Sequence, residues 1–223
     1  MDYNTLANDI SAWMRDKLDQ AGADGYVIGL SGGIDSATTA ALCKRVAGDD
    51  VLGVWMPCHS VAEDEQFSRL AAESLGIELI TVDLCDVYDT FLAALPEGSK
   101  MARANLKPRL RMSTVYYLAQ ANNYLVAGTG NKPELLVGYF TKFGDGGVDL
   151  EPLGELYKHE VRALASVLGV PQPIIDRAPS PGLWPGQTDE GEMGITYAEI
   201  DAILAAWAAG EEPRLPADRI AKV

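Results

Sequence analysis

The stretch YVIGLSGGIDSATTAALCKRV, residues 26–46, places a short polar, glycine-containing segment between an apolar run and a helix-like run. The apolar run Tyr26–Leu30 has the length of a buried strand, and the residues from Ser36 onwards have helical spacing. A strand, a tight turn and a helix N-terminus together form an anion site, because unpaired backbone N–H groups and the helix dipole point at one place. Gly32 and Gly33 let the backbone approach a ligand closely. The stretch predicts a phosphate-binding loop, with a plain capped turn as the alternative.

Apolar runs of strand length alternate with helical patterns along the rest of the chain. The predicted strands are Tyr26–Leu30, Val51–Met56, Leu79–Val82 and Tyr124–Ala127. The amphipathic stretches are an N-terminal helix within residues 1–22, then Ser36–Val46, Glu63–Leu75, Pro108–Gln120, Tyr157–Leu168 and Thr196–Trp207. This alternation predicts an α/β fold, a doubly wound sheet of about five parallel strands with helices on both faces and the ligand at the carboxyl ends of the strands.

The length and composition of the chain suit one sizeable core. With 223 residues, of which 48% are hydrophobic, we expect a single domain over residues 1–223. The N-terminal helix at 1–22 and a lid loop with a C-terminal helix at 178–223 are expected as appendages. Pro96–Asn105 and Ala178–Gly194 are rich in Pro, Gly and charge, as loops over a site often are, although disorder would give the same composition.

Charge and cysteine content exclude several classes of protein. The formal net charge of −14 argues against general nucleic-acid binding, which depends on Lys and Arg. No apolar run reaches the roughly 18 residues of a transmembrane helix, and the N-terminus lacks the pattern of a signal peptide. Cys43, Cys58 and Cys85 have no zinc-type spacing and are odd in number, which argues against a disulfide framework. We therefore expect a cytoplasmic protein that binds neither nucleic acid nor membrane.

The basic residues are unevenly distributed. Residues 100–162 hold nine of the 18 basic residues against six acidic ones, a local charge of +3 in a chain of −14. Counting alone is equally compatible with a set of solvated charges and with an anionic ligand gathered at this segment.

The motif SGGIDS at residues 31–36 resembles the pyrophosphate-binding loop of N-type ATP pyrophosphatases. The resemblance implies a fold like that of the adenine nucleotide alpha hydrolases, with the β and γ phosphates of ATP held by the loop. The implied ATP-binding residues are Gly29, Leu30, Ser31, Gly32, Gly33, Ile34, Asp35 and Ser36. Asp35 is also the implied first ligand of Mg²⁺.

The second half of the chain resembles the ammonia-dependent NAD synthetases. The resemblance lies in NLKPRLRM (105–112), in GTGNKPELLVGYFTKFGDGGVDLEPLGELYKHEVR (128–162) and in PSPGLWPGQTDEGEMGITYAEID (179–201). It implies ATP contacts from Thr129, Lys158 and Ser180, and it places Glu134 beside Asp35 on Mg²⁺. It further implies deamido-NAD contacts from Arg109, Lys142 and Asp149. For Arg109 and Arg111, a helix face paired with acidic residues is the alternative.

The resemblance implies a reaction in two steps. The carboxylate of deamido-NAD attacks the α-phosphorus of ATP, giving an adenylated intermediate and pyrophosphate, and ammonia then forms the amide of NAD and releases AMP. A homodimer is implied as well. Asp145, in FGDGGVD, is our candidate for the residue that binds ammonium and takes its proton, with a simple turn-forming role as the alternative.

The C-terminal part of the sequence leaves other functions open. The last histidine is His159, whereas NAD synthetases generally carry a C-terminal His-Lys pair that reaches the dinucleotide. Either the chain was cut before this pair, or the tail is naturally missing, or another element replaces it. An ATP pyrophosphatase acting on another acceptor is one alternative. A non-catalytic adenine-nucleotide sensor is another, although mere nucleotide binding would not need both Asp35 and Glu134.

Overall fold

The central element is a parallel sheet of four strands in the order β3-β2-β1-β4. It is seen in a computed structural model that describes residues 1–180, 182–184 and 186–223. The strands are β1 (Gly25–Gly29), β2 (Val51–Trp55), β3 (Glu78–Thr81) and β4 (Tyr124–Val126). Each lies where the apolar runs predicted it. The expected α/β fold with a parallel sheet is thereby confirmed.

The expectation of about five strands was wrong by one for the residues described. Where a fifth strand would lie beside β4, the structure has a single parallel bridge between Ala127 and Leu150. Pro152 follows two residues later and has no N–H to donate to a ladder. The pairing therefore does not extend beyond this bridge.

Eleven helices are assigned within the part of the chain that the structure describes. They are α1 (Tyr3–Ala21), α2 (Ile34–Ala47), α3 (Ala62–Leu75), α4 (Cys85–Ala93), α5 (Lys100–Asn122), α6 (Lys132–Val137), α7 (Lys158–Val167), α8 (Gln172–Ile175), α9 (Asp189–Met193), α10 (Tyr197–Ala208) and α11 (Ala217–Ile220). Among these described helices, none combines the length and the apolarity needed to cross a membrane.

The helices cover both faces of the sheet, as doubly wound folds require. On one face, Tyr26 and Ile28 of β1 belong to a core cluster with residues of α1, α2, α3 and α7. On the other face, Val27 packs in a cluster with α4 and α5. All three of these β1 side chains are fully buried, because a strand in the middle of a parallel sheet has both faces covered.

Helix α5 corrects one of the sequence predictions. We expected Pro96–Asn105 to be a loop and a helix to begin at Pro108, the usual place for a proline. Instead the helix begins at Lys100, capped by the Ser99 hydroxyl, which accepts from the Ala102 amide at 3.1 Å, and it continues through Pro108. Tertiary packing overrides the local preference here, because Ala104 and Lys107 are buried.

Candidate active site

A cavity of about 450 Å³ opens at the carboxyl ends of the strands. Its wall includes Gly29 at the end of β1 and Leu30 after it, Met56 after β2, and Ala127 after β4. The chain moves outward on one side of β1 to form β2 and β3, and then returns to place β4 on the other side. The cavity therefore lies at the topological switch point, where ligands bind in open α/β sheets.

The glycine-containing loop has the geometry that its sequence predicts. Gly32 has φ +80°, and a Cβ there would lie 2.7 Å from Cβ of Phe67 and 2.8 Å from the Asp64 carbonyl oxygen, so only glycine fits. The N-cap of α2 is Gly33, which has no side-chain cap. The first amides of α2 therefore meet no capping side chain, as expected where a ligand is to be bound.

A buried lysine joins the two carboxylates that the resemblance assigns to Mg²⁺. Lys158, 1% exposed, places Nζ 2.5 Å from Asp35 Oδ2 and 3.4 Å from Glu134 Oε1. Asn131 contributes twice, because its Nδ2 donates to Asp35 Oδ1 at 3.1 Å and its Oδ1 caps α6 through the Glu134 amide. Helices α2, α6 and α7 thus meet at one cation.

The hydroxyl of Tyr197 extends this group to a third carboxylate. It lies 2.7 Å from Glu134 Oε1 and 2.8 Å from Asp189 Oδ2. A phenol has one proton to donate, so both contacts are hydrogen bonds only when one of the two carboxyls is protonated. Burial raises the pKa of Glu134, with the negative charge of Asp35 adding to the effect, and burial likewise raises the pKa of Asp189.

Lys158 stays charged despite its burial. Desolvation acts to lower its pKa, but the carboxylates of Asp35 and Glu134 outweigh it, so that the pKa is raised overall. The ammonium also lies 4.5 Å from the centre of the Tyr197 ring. Asp189 Oδ1 is buried and has no hydrogen-bond partner in the described part of the chain, which leaves one acceptor at the cavity wall for a ligand.

The predicted site residues divide into those that line the cavity and those that do not. Those at the cavity wall include Gly29–Ser31, Gly33–Ser36, Thr129, Glu134, Asp145 and Ser180. Lys158 lies behind the wall, in contact with Asp35 and Glu134.

The three residues assigned to deamido-NAD are absent from the cavity wall as described. Arg109 and Lys142 are exposed side by side, with Arg109 Nε donating to the Lys142 carbonyl oxygen at 3.2 Å. Both oxygens of Asp149 are engaged within the protein, by the Tyr116 hydroxyl and by the Val126 amide.

The carboxyl of Asp145 lines the cavity and is fixed by a hydrogen bond from the backbone. Its Oδ1 accepts from the Thr141 amide at 3.0 Å. The protein packed around the carboxyl raises the pKa of Asp145, although the Thr141 amide opposes this shift. Asp145 thus fixes a turn, as the simpler interpretation of Asp-Gly predicted, and also presents a carboxyl to the site.

The predicted lid segment lies against the cavity. Of this segment, Pro181 and Pro185 are outside the described residues. The Leu183 carbonyl oxygen accepts from Lys107 Nζ at 2.8 Å. Lys100 Nζ lies 4.0 Å from the centre of the Trp184 ring. The basic residues of α5 thereby hold the segment in place.

Sequence reasoning left several polar residues of the site unassigned. Besides Asn131, they include Arg111, Arg177, Asp189 and Tyr197, of which Arg111, Arg177 and Asp189 line the cavity. Arg177 reaches Asp64 Oδ1 at 2.5 Å and donates to the Gly32 carbonyl oxygen at 3.4 Å, so it braces the phosphate loop. Arg111, Arg177, Asp189 and Tyr197 have no motif of their own, although the blocks 105–112 and 179–201 contain all of these four but Arg177.

The fold and the cavity define a doubly wound α/β protein with a glycine-containing loop at its switch point. The chain belongs to the NAD synthase family, whose model matches residues 6–220.

A curated relative from Carboxydothermus hydrogenoformans, named NH(3)-dependent NAD(+) synthetase, is 53% identical over 197 residues, covering 86% of this chain and 81% of the relative. A structure of NMN synthetase from Francisella tularensis matches with a TM-score of 0.92 and 38% identity, covering 100% of this chain and 91% of that one. The NH3-dependent NAD synthetase from Campylobacter jejuni matches with a TM-score of 0.85 and 31% identity, covering 99% and 91%. The family expected from the motifs is confirmed.

Proposed function

We propose that this protein is a ligase that amidates deamido-NAD with free ammonia, using ATP, and forms NAD, AMP and pyrophosphate. The single observation that carries the proposal is the convergence of Asp35, Glu134 and Lys158 at the phosphate loop of a chain that belongs to the NAD synthase family. Its curated relatives named NH(3)-dependent NAD(+) synthetase support ammonia as the nitrogen donor.

In the first step, the carboxylate of the acceptor attacks the α-phosphorus of ATP and pyrophosphate leaves. The loop from Ser31 to Ser36 binds the β and γ phosphates through the amides at the start of α2. Thr129 and Ser180, both at the cavity wall, supply hydroxyl contacts to ATP. Donors fixed before the reaction stabilise the charge that develops on the leaving group.

In the second step, ammonia attacks the acyl adenylate and AMP leaves. Ammonium has no lone pair, so a base must take one proton before the nitrogen can attack. Asp145 is the base in this proposal, and its support is a carboxyl that opens to the cavity while burial raises its pKa.

Mg²⁺ is implied by the family resemblance, and the donor set fits a hard divalent cation. Asp35 and Glu134 already share one cation, the ammonium of Lys158. An all-oxygen donor set at the edge of a phosphate loop is the kind that Mg²⁺ prefers. Asp35 and Glu134 would hold the ion, which offsets negative charge on the phosphates when bound.

The proposal is tested by incubating the purified protein with ATP, Mg²⁺, an ammonium salt and deamido-NAD. We expect NAD, AMP and pyrophosphate to form in equal amounts, with no AMP when deamido-NAD or ATP is omitted. Release of AMP with an unrelated carboxylic acid but none with a pyridine acid would instead identify a pyrophosphatase that acts on another acceptor. Binding of ATP without AMP release under every condition would favour a nucleotide sensor.

A second candidate acceptor is nicotinate mononucleotide, whose amidation gives NMN. The observation that favours it is the match over 100% of this chain to a structure of NMN synthetase, at a TM-score of 0.92. The carboxylate and the chemistry are the same for both acceptors, which differ by the adenylyl half. Comparing kcat/KM for the two acids decides between them.

We also propose a homodimer in a reducing cytoplasm. Cys43, Cys58 and Cys85 are free thiols, which suits such a compartment. Exposed apolar side chains of α4 and the residues after it, Val87, Phe91 and Leu95, follow a spacing of four and form one stripe, which suits contact with a second copy.

A further inference from the structure

The guanidinium of Arg111 stands in the cavity wall, on the side formed by α5 and the end of β2. Its Nε donates to the Met56 carbonyl oxygen at 3.1 Å and its Nη2 to the Ser60 hydroxyl at 3.4 Å. Both partners belong to the segment that leaves β2. These two contacts fix the plane of the guanidinium and hold it at the cavity.

The hydrogen-bonding capacity of Arg111 exceeds what the protein supplies. A guanidinium has five N–H donors, and the two contacts to the end of β2 use two of them. Within the described residues no carboxylate lies within 4.0 Å of Arg111. Its pKa is lowered by desolvation, with nearby acidic groups opposing the effect.

A partly buried cation without an ion-pair partner is unfavourable, and a bound anion removes that cost. Elsewhere in the protein the buried cation Lys158 has two carboxylate partners, and Arg177 at the same cavity has Asp64. Arg111 differs from both of these residues. Its missing partner is therefore to be sought in the ligand that fills the cavity.

The surroundings of Arg111 indicate which anionic group of a ligand would pair with it. The triphosphate of ATP has its own donors in the loop Ser31–Ser36. The wall around Arg111 includes Met56 after β2, and Met112 and Val115 on the same helix, whose apolar side chains suit contact with an aromatic ring. The carboxyls of Asp64 and Asp145 also line the cavity, and they act on Arg111 from beyond ion-pair distance. A fork-shaped cation beside apolar side chains suits a planar carboxylate on an aromatic ring, which a guanidinium binds through two parallel hydrogen bonds.

We propose that Arg111 binds the carboxylate of the acceptor and so selects the acid over its amide. The inference rests on the proposed function, since it names the side chain that recognises the group to be amidated. It also has a consequence for turnover. When the carboxylate becomes an uncharged amide, Arg111 loses its anionic partner, and the product is released more easily than the substrate.

The test compares an acid with its own amide as ligands, by calorimetry without ATP. The pair is deamido-NAD and NAD, or the corresponding mononucleotides if wild type amidates those. Wild type should bind the acid more tightly. Arg111→Met should weaken binding of the acid by about 30-fold or more, while it should change the affinity for the amide by less than about threefold. Arg111→Lys keeps the positive charge but loses the two parallel N–H donors of the guanidinium. Its affinity for the acid should lie between those of wild type and Arg111→Met.

Arg103→Met is the matched control, because Arg103 is exposed on the same helix and only its backbone is engaged, its carbonyl by the Tyr88 hydroxyl and its amide by the Ser99 carbonyl oxygen. It should behave like wild type. Three results would each overturn the inference. They are equal weakening of acid binding and amide binding by both Arg111 variants, weakening of ATP binding alone, and an unchanged preference for the acid. If Arg111→Met fails to fold, judged by circular dichroism, Arg111→Lys decides. Failure of the proposed function is distinct, since wild type would then amidate no pyridine acid.

Discussion

At the scale of single residues, Asp35 and Glu134 carry the first prediction. Asp35→Asn and Glu134→Gln remove charge from the proposed Mg²⁺ site and leave the adenine pocket intact. We expect each to slow AMP release by about 100-fold or more and to change ATP affinity far less. Radiolabelled ATP gives both quantities. Exposed Asp49, paired only with Lys44, provides the control Asp49→Asn, and wild-type turnover of either site variant at ordinary Mg²⁺ would refute the assignment.

Lys158 carries a prediction about stability. Lys158→Met leaves Asp35 and Glu134 facing one another without a cation, and breaking a buried ion pair in this way costs about 3–5 kcal/mol. Urea unfolding should show that loss for Lys158→Met. The double variant Asp35→Asn/Lys158→Met should recover part of it, because one of the opposed charges is gone. Lys44→Met, at the exposed pair with Asp49, should cost less than about 1 kcal/mol; an equal cost for both lysines would contradict the argument.

Asp145 carries a prediction about pH. Burial raises the pKa of its carboxyl, so the base form grows as pH rises through that pKa. Asp145→Asn should spare adenylation, measured as pyrophosphate release, while slowing NAD formation by about 100-fold. Raising the pH should restore part of the rate, because it supplies neutral ammonia directly. If pyrophosphate release and NAD formation fall in parallel at every pH, Asp145 has a structural role only.

At the scale of elements, α10 is held at its start by a capping box. The Thr196 hydroxyl and Glu199 cap each other's backbone amides, and Arg219 of α11 pairs with Glu199 at 2.8 Å. This cap positions Tyr197, which contacts Glu134 and Asp189. The start of a helix that follows the lid segment is thereby coupled to the carboxylates of the site.

The pH dependence of stability reports on this cap. The Thr196 amide, Arg219 and the Thr196 hydroxyl lower the pKa of Glu199 from 4.5 to about 2. A lowered carboxyl pKa means that the stabilisation is complete above the unfolded value and is lost as pH falls through the folded one. Glu199→Gln should therefore lower the melting temperature at pH 7, with the deficit shrinking between pH 4.5 and pH 2. Exposed Glu212 provides the control; a deficit that stays constant with pH would show that charge is not the cause.

At the scale of the whole molecule, the apolar stripe on and just after α4 predicts the assembly. Phe91 is 46% exposed and Val87 50% exposed, and a second copy covering them would remove apolar surface from water. Phe91→Glu should convert a dimer into a monomer in sedimentation experiments, with circular dichroism unchanged. Val167→Glu, an exposed apolar position on α7, serves as the control. A monomeric wild type, or a dimer that tolerates Phe91→Glu, would count against this interface.

The sequence alone determined the features that depend on a few neighbouring residues. Hydrophobic periodicity located the four strands and most of the helices, because burial acts on each element through its own pattern. The tight turn of the glycine-containing loop was predictable for the same reason, since Gly32 is required by a backbone conformation and a close contact at that one position. The helical segment 100–105 was missed because Pro96 and Gly98 just before it, together with its own charged residues, outweighed a single capping serine in local reasoning.

The tertiary structure alone decided how distant side chains are combined. Asp35, Glu134, Lys158, Asp189 and Tyr197 come from five separate parts of the chain, and no local pattern shows that one ammonium and one hydroxyl connect them. Arg111 could have been a surface cation paired with acids until its cavity position became known. Burial and electrostatic partners are properties of packing between elements, so they appear only when the strands and helices have been brought together.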